Sequence, residues 1–209
     1  NDIPFENILI DTPEKLKALR ATGKLPFDQM PLLEIDGRNL SQSSAMIRYL
    51  ARRGGFYGDT DTDALWCDLI AGAVSDFAET GLKAMFQPTD EIAISEQQAT
   101  FNKFAPCFEM RLKENGTGFF VGARLSFADV ILVESLSSYL EWIPNILESS
   151  PLLKSLNETV LNQPGIKAYL ASGLRYPKPD NTTVIHIARV LQRPLPSHFP
   201  EPNRFVLKP

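Results

Sequence analysis

Two neighbouring polar groups in the first quarter of the chain are placed to bind a peptide. Gln42 and Ser43 stand where a helix starts, and a helix N-terminus presents free N–H groups and the positive end of its dipole, a natural seat for a carboxylate. Met30-Pro31 stands just before an apolar run, and a proline there removes a ladder donor, so Pro31 belongs at a strand's first residue or in a cis turn from which the Met30 main chain can turn outward. Carboxylate seat and open peptide edge together describe a peptide-binding site; the ordinary alternative is a hairpin and a capped helix without ligand. Other chemistries fare worse. His186 and His198 are the only histidines and lack both the spacing of a catalytic triad and the grouping of a zinc site, so no metal is expected. Cys67 and Cys107 form no Cys-x-x-Cys pair, and each reads as a core residue. No glycine-rich loop suggests a nucleotide.

The elements that position these residues follow from hydrophobic period. Leu32 to Ile35 is an apolar run, Asp36-Gly37 is a strong two-residue hairpin signal, and the return toward Leu40 completes a strand pair. From Ser41 the period is helical, with Ala45, Ile47, Tyr49 and Leu50 apolar, and the serines of Ser41-Gln42-Ser43-Ser44 offer N-caps. Upstream, Pro4 to Ile10 reads as a strand. Thr12-Pro13 then starts a helix that carries Leu16 and Leu19 inward and ends at Gly23. Phe27 lies in the loop that follows, where a large aromatic is either a satellite core contact or an anchor for another surface.

The polar stretch Phe56 to Thr60 marks a domain boundary. Beyond it the pattern is helical only, over about 62 to 86, 91 to 114, 126 to 139, 150 to 161, 164 to 171 and 183 to 192. The expected division is therefore 1–58, 59–193 and an extended proline-rich tail, 194–209. In the first of these helices Leu65, Leu69, Ile70, Ala73, Val74 and Phe77 are apolar, while Asp68 and Asp76 share a second face that is ordinarily solvated. Ser126-Phe127-Ala128-Asp129 is a capping box with a structural role.

Length and composition agree with a globular protein. The 209 residues are 44% hydrophobic and 22% charged, enough to bury a substantial core. A net charge of −4 argues against nucleic acid or anionic membranes as partners. No run approaches the roughly 20 apolar residues of a membrane span, and two cysteines without a secretory signal make a reducing cytoplasm the expected compartment.

Met-Pro-Leu-Leu-Glu-Ile-Asp-Gly at 30–37, followed by Leu-Ser-Gln-Ser-Ser-Ala-Met-Ile-Arg-Tyr-Leu-Ala at 40–51, resembles the glutathione-binding half of cytosolic glutathione transferases, most closely the alpha class. The resemblance implies a glutathione transferase fold: a thioredoxin-like α/β domain, incomplete here, followed by an all-helical domain. It implies a backbone pairing of the Met30-Pro31 loop with glutathione, a γ-glutamyl carboxylate held by Gln42-Ser43, a contact from Gln29, and Arg20 near the glycyl carboxylate. It further implies that Asp76 and Lys103 reach glutathione from the partner subunit of a homodimer, with Phe27 inserted at the interface. Lys103 stands where the alpha class has arginine, and a lysine loses the bidentate geometry. Leu82 and Phe86 would line an apolar-substrate floor that Val184, Ile187 and Leu191 cover. In the family a first strand and helix carrying the tyrosine that activates the thiol precede the point matched by Asn1 to Glu6, so no catalytic residue is expected within these 209 residues. The implied activity is conjugation of the glutathione thiolate to apolar electrophiles, a detoxification. The alternative is a non-catalytic binding or structural relative, and a thioredoxin-like redox protein would need a cysteine at the first helix.

Overall fold

The chain folds mainly as helices, and the computed structural model describes residues 3–176 and 178–199. Contacts divide it into two compact units, residues 1–50 with 179–209, and residues 51–178.

The first unit opens with residues 3–10, which have no regular structure. This corrects the strand expected at Pro4 to Ile10. A strand is defined by its ladder, and the described sheet contains only β1 (Leu33–Ile35) and β2 (Arg38–Leu40), paired with each other. Phe5, Ile8 and Leu9 consequently stay exposed. α1 (Pro13–Ala21) is capped by Thr12, whose hydroxyl accepts from the Lys15 N–H at 3.2 Å, and it buries Leu16. The hairpin is antiparallel, with Leu33 opposite Leu40 and Ile35 opposite Arg38. Its turn has φ of 50° at Asp36 and 70° at Gly37, the left-handed pair that matches strand twist and that Asp-Gly supplies with little strain. A clamp adds to the turn: the Tyr49 hydroxyl, from α2 (Ser43–Gly54), donates to Asp36 Oδ2 at 2.7 Å. α8 (Asn181–Leu191) belongs to this unit, capped by Asp180, and buries Val184 and Val190.

The second unit is helical: α3 (Asp61–Ala84), α4 (Asp90–Asn115), α5 (Phe127–Trp142), α6 (Pro151–Leu161) and α7 (Pro164–Ala171). All lie within a few residues of the spans expected from period. Its centre is aromatic: Phe77 stacks on Tyr139 with centroids 4.2 Å apart and meets Phe104 and Phe108 edge-on at 5.9 Å. The Tyr139 hydroxyl donates to the Phe77 carbonyl at 2.7 Å, which satisfies the one polar atom of that buried ring. Asp129 accepts from the Ser126 N–H at 2.8 Å, as the capping box predicts, and also from the Ser126 hydroxyl at 2.7 Å and the Phe120 N–H at 2.8 Å. Glu109 on α4 accepts from Leu153 N–H at 2.6 Å, so a side chain from another helix caps the start of α6.

The boundary placed at Phe56 to Thr60 falls inside this unit. Tyr57 is buried, meets Phe127 with the rings tilted and their centroids 4.8 Å apart, and donates to Asp68, and the Phe127 N–H donates to the Phe56 carbonyl at 2.8 Å. The polar composition thus begins only at Gly58, directly after a core residue, Tyr57. Gly58 itself has φ 81°, and a Cβ there would collide with Asp63. Cys67 is buried, but Cys107 is exposed, contrary to expectation. The cause is helical phase: the buried residues Phe101, Ala105, Phe108 and Leu112 define the inner face of α4, and Cys107 points off it. Of the expected extended tail, residues 200–209 lie outside the described residues, and Pro196 to Phe199 forms a turn closed by the Phe199 N–H to the Pro196 carbonyl at 2.8 Å.

Candidate glutathione site

The site grows from two backbone features of the first unit. The Met30–Pro31 peptide is cis, which is the second of the two placements expected for Pro31; the strand itself begins at Leu33. Gln42 has φ 68°, a conformation uncommon for a residue with a side chain and frequent at functional positions. It directly precedes α2, and its carbonyl takes the first helical bonds, from Ala45 and Met46 at 2.9 and 3.1 Å. The N–H groups of the first turn have no preceding turn to accept them. The serine run caps less than expected, because Ser41 is buried and its hydroxyl has no partner.

The two features are joined. Gln42 Nε2 donates to Gln29 Oε1 at 2.9 Å, which ties the helix start to the loop that carries the cis bond. Next to Gln29, Asp28 has φ 52°, donates its N–H to the Leu25 carbonyl and accepts from Arg20 Nε at 2.8 Å. Arg20, Gln29, Met30, Pro31, Gln42 and Ser43 therefore form one connected stretch of surface, with Arg20 and Gln42 both exposed. Sequence reading missed Asp28, and an acid spaced one loop after Arg20 was the available signal. It also missed the Tyr49 clamp on Asp36, which steadies the hairpin behind the site.

The other expected residues occupy separate places. Phe27 is 67% exposed. Asp76 on α3 and Lys103 on α4 are exposed, and each adjoins one ring of the Phe77–Phe104 contact. Lys103 Nζ lies 5.0 Å over the Phe104 ring. Leu82 is 65% exposed and Phe86 partly so. On α8, Val184 is core, Ile187 is exposed and Leu191 is half-buried.

Three tyrosines and one of the two cysteines are held in ways that work against thiol chemistry. Burial pushes the Cys67 thiol up to about 11, which keeps it protonated. The Tyr49 and Tyr57 hydroxyls donate to Asp36 and Asp68, each at 2.7 Å. Burial raises the Tyr139 hydroxyl as well. No group of three or more His, Cys, Asp or Glu suited to a metal occurs among the described residues, and no helix among them is long and apolar enough to cross a membrane.

Fold and site together define a glutathione-transferase-like chain, and the comparisons agree. The family described as "Glutathione S-transferase, C-terminal domain" matches residues 75–173. Glutathione S-transferase alpha M14 of Sus scrofa is 37% identical over 82% of this chain and 78% of its own length. The glutathione S-transferase structure from Ascaris lumbricoides aligns with a TM-score of 0.72 at 31% identity, covering 82% of this chain and 85% of that one. Monomeric Na-GST-3, a glutathione S-transferase from the hookworm Necator americanus, aligns at 0.68 and 28% identity, covering 76% and 80%. The chain belongs to the glutathione S-transferase family and has its fold.

Proposed function

We propose that the protein binds glutathione along Gln29 to Pro31 and at Gln42-Ser43, and conjugates its thiolate to apolar electrophiles in the cytoplasm. The observation that carries this reading is the Gln42–Gln29 bond, which joins a helix N-terminus suited to a carboxylate with the loop of the cis Met30–Pro31 peptide. Gln42 and Ser43 hold the γ-glutamyl carboxylate, Arg20 holds the glycyl carboxylate, and the Met30 main chain pairs with the cysteinyl residue. In the transfer, the thiolate sulfur forms a bond to an electrophilic carbon, the leaving group departs with its electron pair, and the thiol proton passes to solvent. By the family resemblance, Leu82 and Phe86 are floor residues for the electrophile and Val184, Ile187 and Leu191 its cover, and Asp76 and Lys103 act from the partner subunit of a homodimer anchored by Phe27.

A second reading, a non-catalytic binding protein of the same family, is favoured by the engaged hydroxyls of Tyr49, Tyr57 and Tyr139. Calorimetric titration of the full-length native protein with glutathione, followed by an assay with an aromatic halide, separates the two. Binding with turnover supports the transferase, binding without turnover supports the second reading, and no binding by folded protein defeats both.

A further inference from the structure

We propose that Asp28 is a positioning residue: its carboxylate holds the Nε edge of Arg20 so that the Nη groups stand ready for the glycyl carboxylate of glutathione. The inference rests on the glutathione reading of the site and adds to it a residue that matched neither the hairpin motif nor the helix start.

Three observations carry it. Arg20 Nε donates to Asp28 Oδ1 at 2.8 Å, and the Nη groups of Arg20 have no partner among the described residues. A guanidinium has five donors in a fixed plane, so a partner on Nε fixes the plane and leaves the Nη edge for a second carboxylate. Asp28 is itself held on both sides: its N–H donates to the carbonyl of buried Leu25, and the next residue, Gln29, is bound by Gln42. The backbone that carries its carboxylate is therefore held before ligand arrives, whereas an unpaired arginine on an exposed helix end would have to be ordered on binding.

The opposing effect is electrostatic. A second carboxylate beside Arg20 repels the anion that Arg20 is to bind, although exposure and salt weaken that repulsion. Ordering one long side chain is worth roughly two- to tenfold in affinity, and the proposal is that ordering outweighs repulsion here. The two effects separate by substitution. Asparagine keeps an acceptor for Nε and tolerates the left-handed backbone at φ 52°, but carries no charge. Glycine removes the side chain and also accepts that backbone, whereas alanine would add strain of its own.

The test is calorimetric titration of glutathione, and of glutathione esterified at the glycyl carboxylate, into wild type, Asp28→Gly, Asp28→Asn, Arg20→Ala and Gln42→Ala. Expected is a roughly two- to tenfold loss for glutathione in Asp28→Gly, recovery in Asp28→Asn, and equal affinity of wild type and Asp28→Gly for the ester. Asp28→Gly that binds glutathione as well as wild type or better, while Gln42→Ala weakens it, overturns the role of Asp28 and leaves the site standing. Asp28→Asn as weak as Asp28→Gly, or an ester affected as strongly as glutathione, also overturns it. Failure of wild type to bind glutathione, or full affinity in both Gln42→Ala and Arg20→Ala, overturns the site reading and this proposal with it.

Discussion

Gln42 donates to Gln29 across the gap between a helix start and a loop, at 2.9 Å. The two side chains act as one unit, so removal of either loosens both halves of the site.

Gln42→Ala is expected to weaken glutathione binding by about 1 to 3 kcal/mol through loss of a charge-assisted hydrogen bond. Because Gln29 loses its partner in that variant, the double variant with Gln29→Ala should cost less than the two single losses combined. Calorimetry on the four proteins checks both statements, and strict additivity would show that the bond does not couple the residues.

The 209-residue chain, expressed as written, is expected to turn over an aromatic halide near background. The Tyr49 and Tyr57 hydroxyls already donate to carboxylates, and Tyr139 is held in the core of the helical unit. Tyr49→Phe should leave that low rate unchanged, and robust activity that disappears in Tyr49→Phe would identify Tyr49 as the thiol's partner instead.

Phe27→Ala is expected to weaken self-association. At ~25 cal/mol per Å² over ~150 to 200 Å², each buried copy contributes about 4 to 5 kcal/mol at most, and a two-fold interface contains two copies. Glutathione affinity should fall together with the dimer, because Asp76 would act only from a partner subunit. Sedimentation and titration on one sample test both, and a monomer of undiminished affinity removes Asp76 from the site.

Asp129→Ala is expected to destabilise the helical unit by about 3 kcal/mol or more, since three donors at Phe120 and Ser126 lose a buried acceptor. Asp129→Asn keeps one carbonyl acceptor and should cost less. Denaturant midpoints at constant slope give the comparison.

α8 should fray in acid. The N–H of Thr183, then its hydroxyl, holds the Asp180 carboxyl below the ordinary 3.8. A depressed folded value means the cap's contribution is present above the unfolded value and is lost as pH falls through the depressed one. Protection factors of α8 amides, corrected for the intrinsic exchange rate, should therefore fall below pH ~4, and Asp180→Asn should flatten that dependence.

Much of the fold was legible because its signals are local. Helix period, the Asp36-Gly37 turn, Thr12 with Pro13 and the Ser126–Asp129 box each declare themselves within a few residues. The strand at Pro4 to Ile10 failed because a strand requires a partner, which local pattern does not supply. Cys107 was misplaced because one residue of helical phase decides between core and solvent. In the candidate site, Arg20 and Gln29 were named from resemblance to a family, and Gln42 and Ser43 from the helix start as well as from that resemblance. The clamp of Tyr49 on Asp36 and the hold of Asp28 on Arg20 join residues whose neighbourhood exists only after the hairpin and loop have closed.

The carboxylate of Glu109 caps α6 from a position 44 residues upstream of Leu153. In synthesis from N- to C-terminus, α4 is complete before α6 begins, so the acceptor is already in place when the α6 start emerges. A circular permutant opened between α4 and α6 reverses that schedule: α6 would be made first, with its opening turn uncapped until the end of translation.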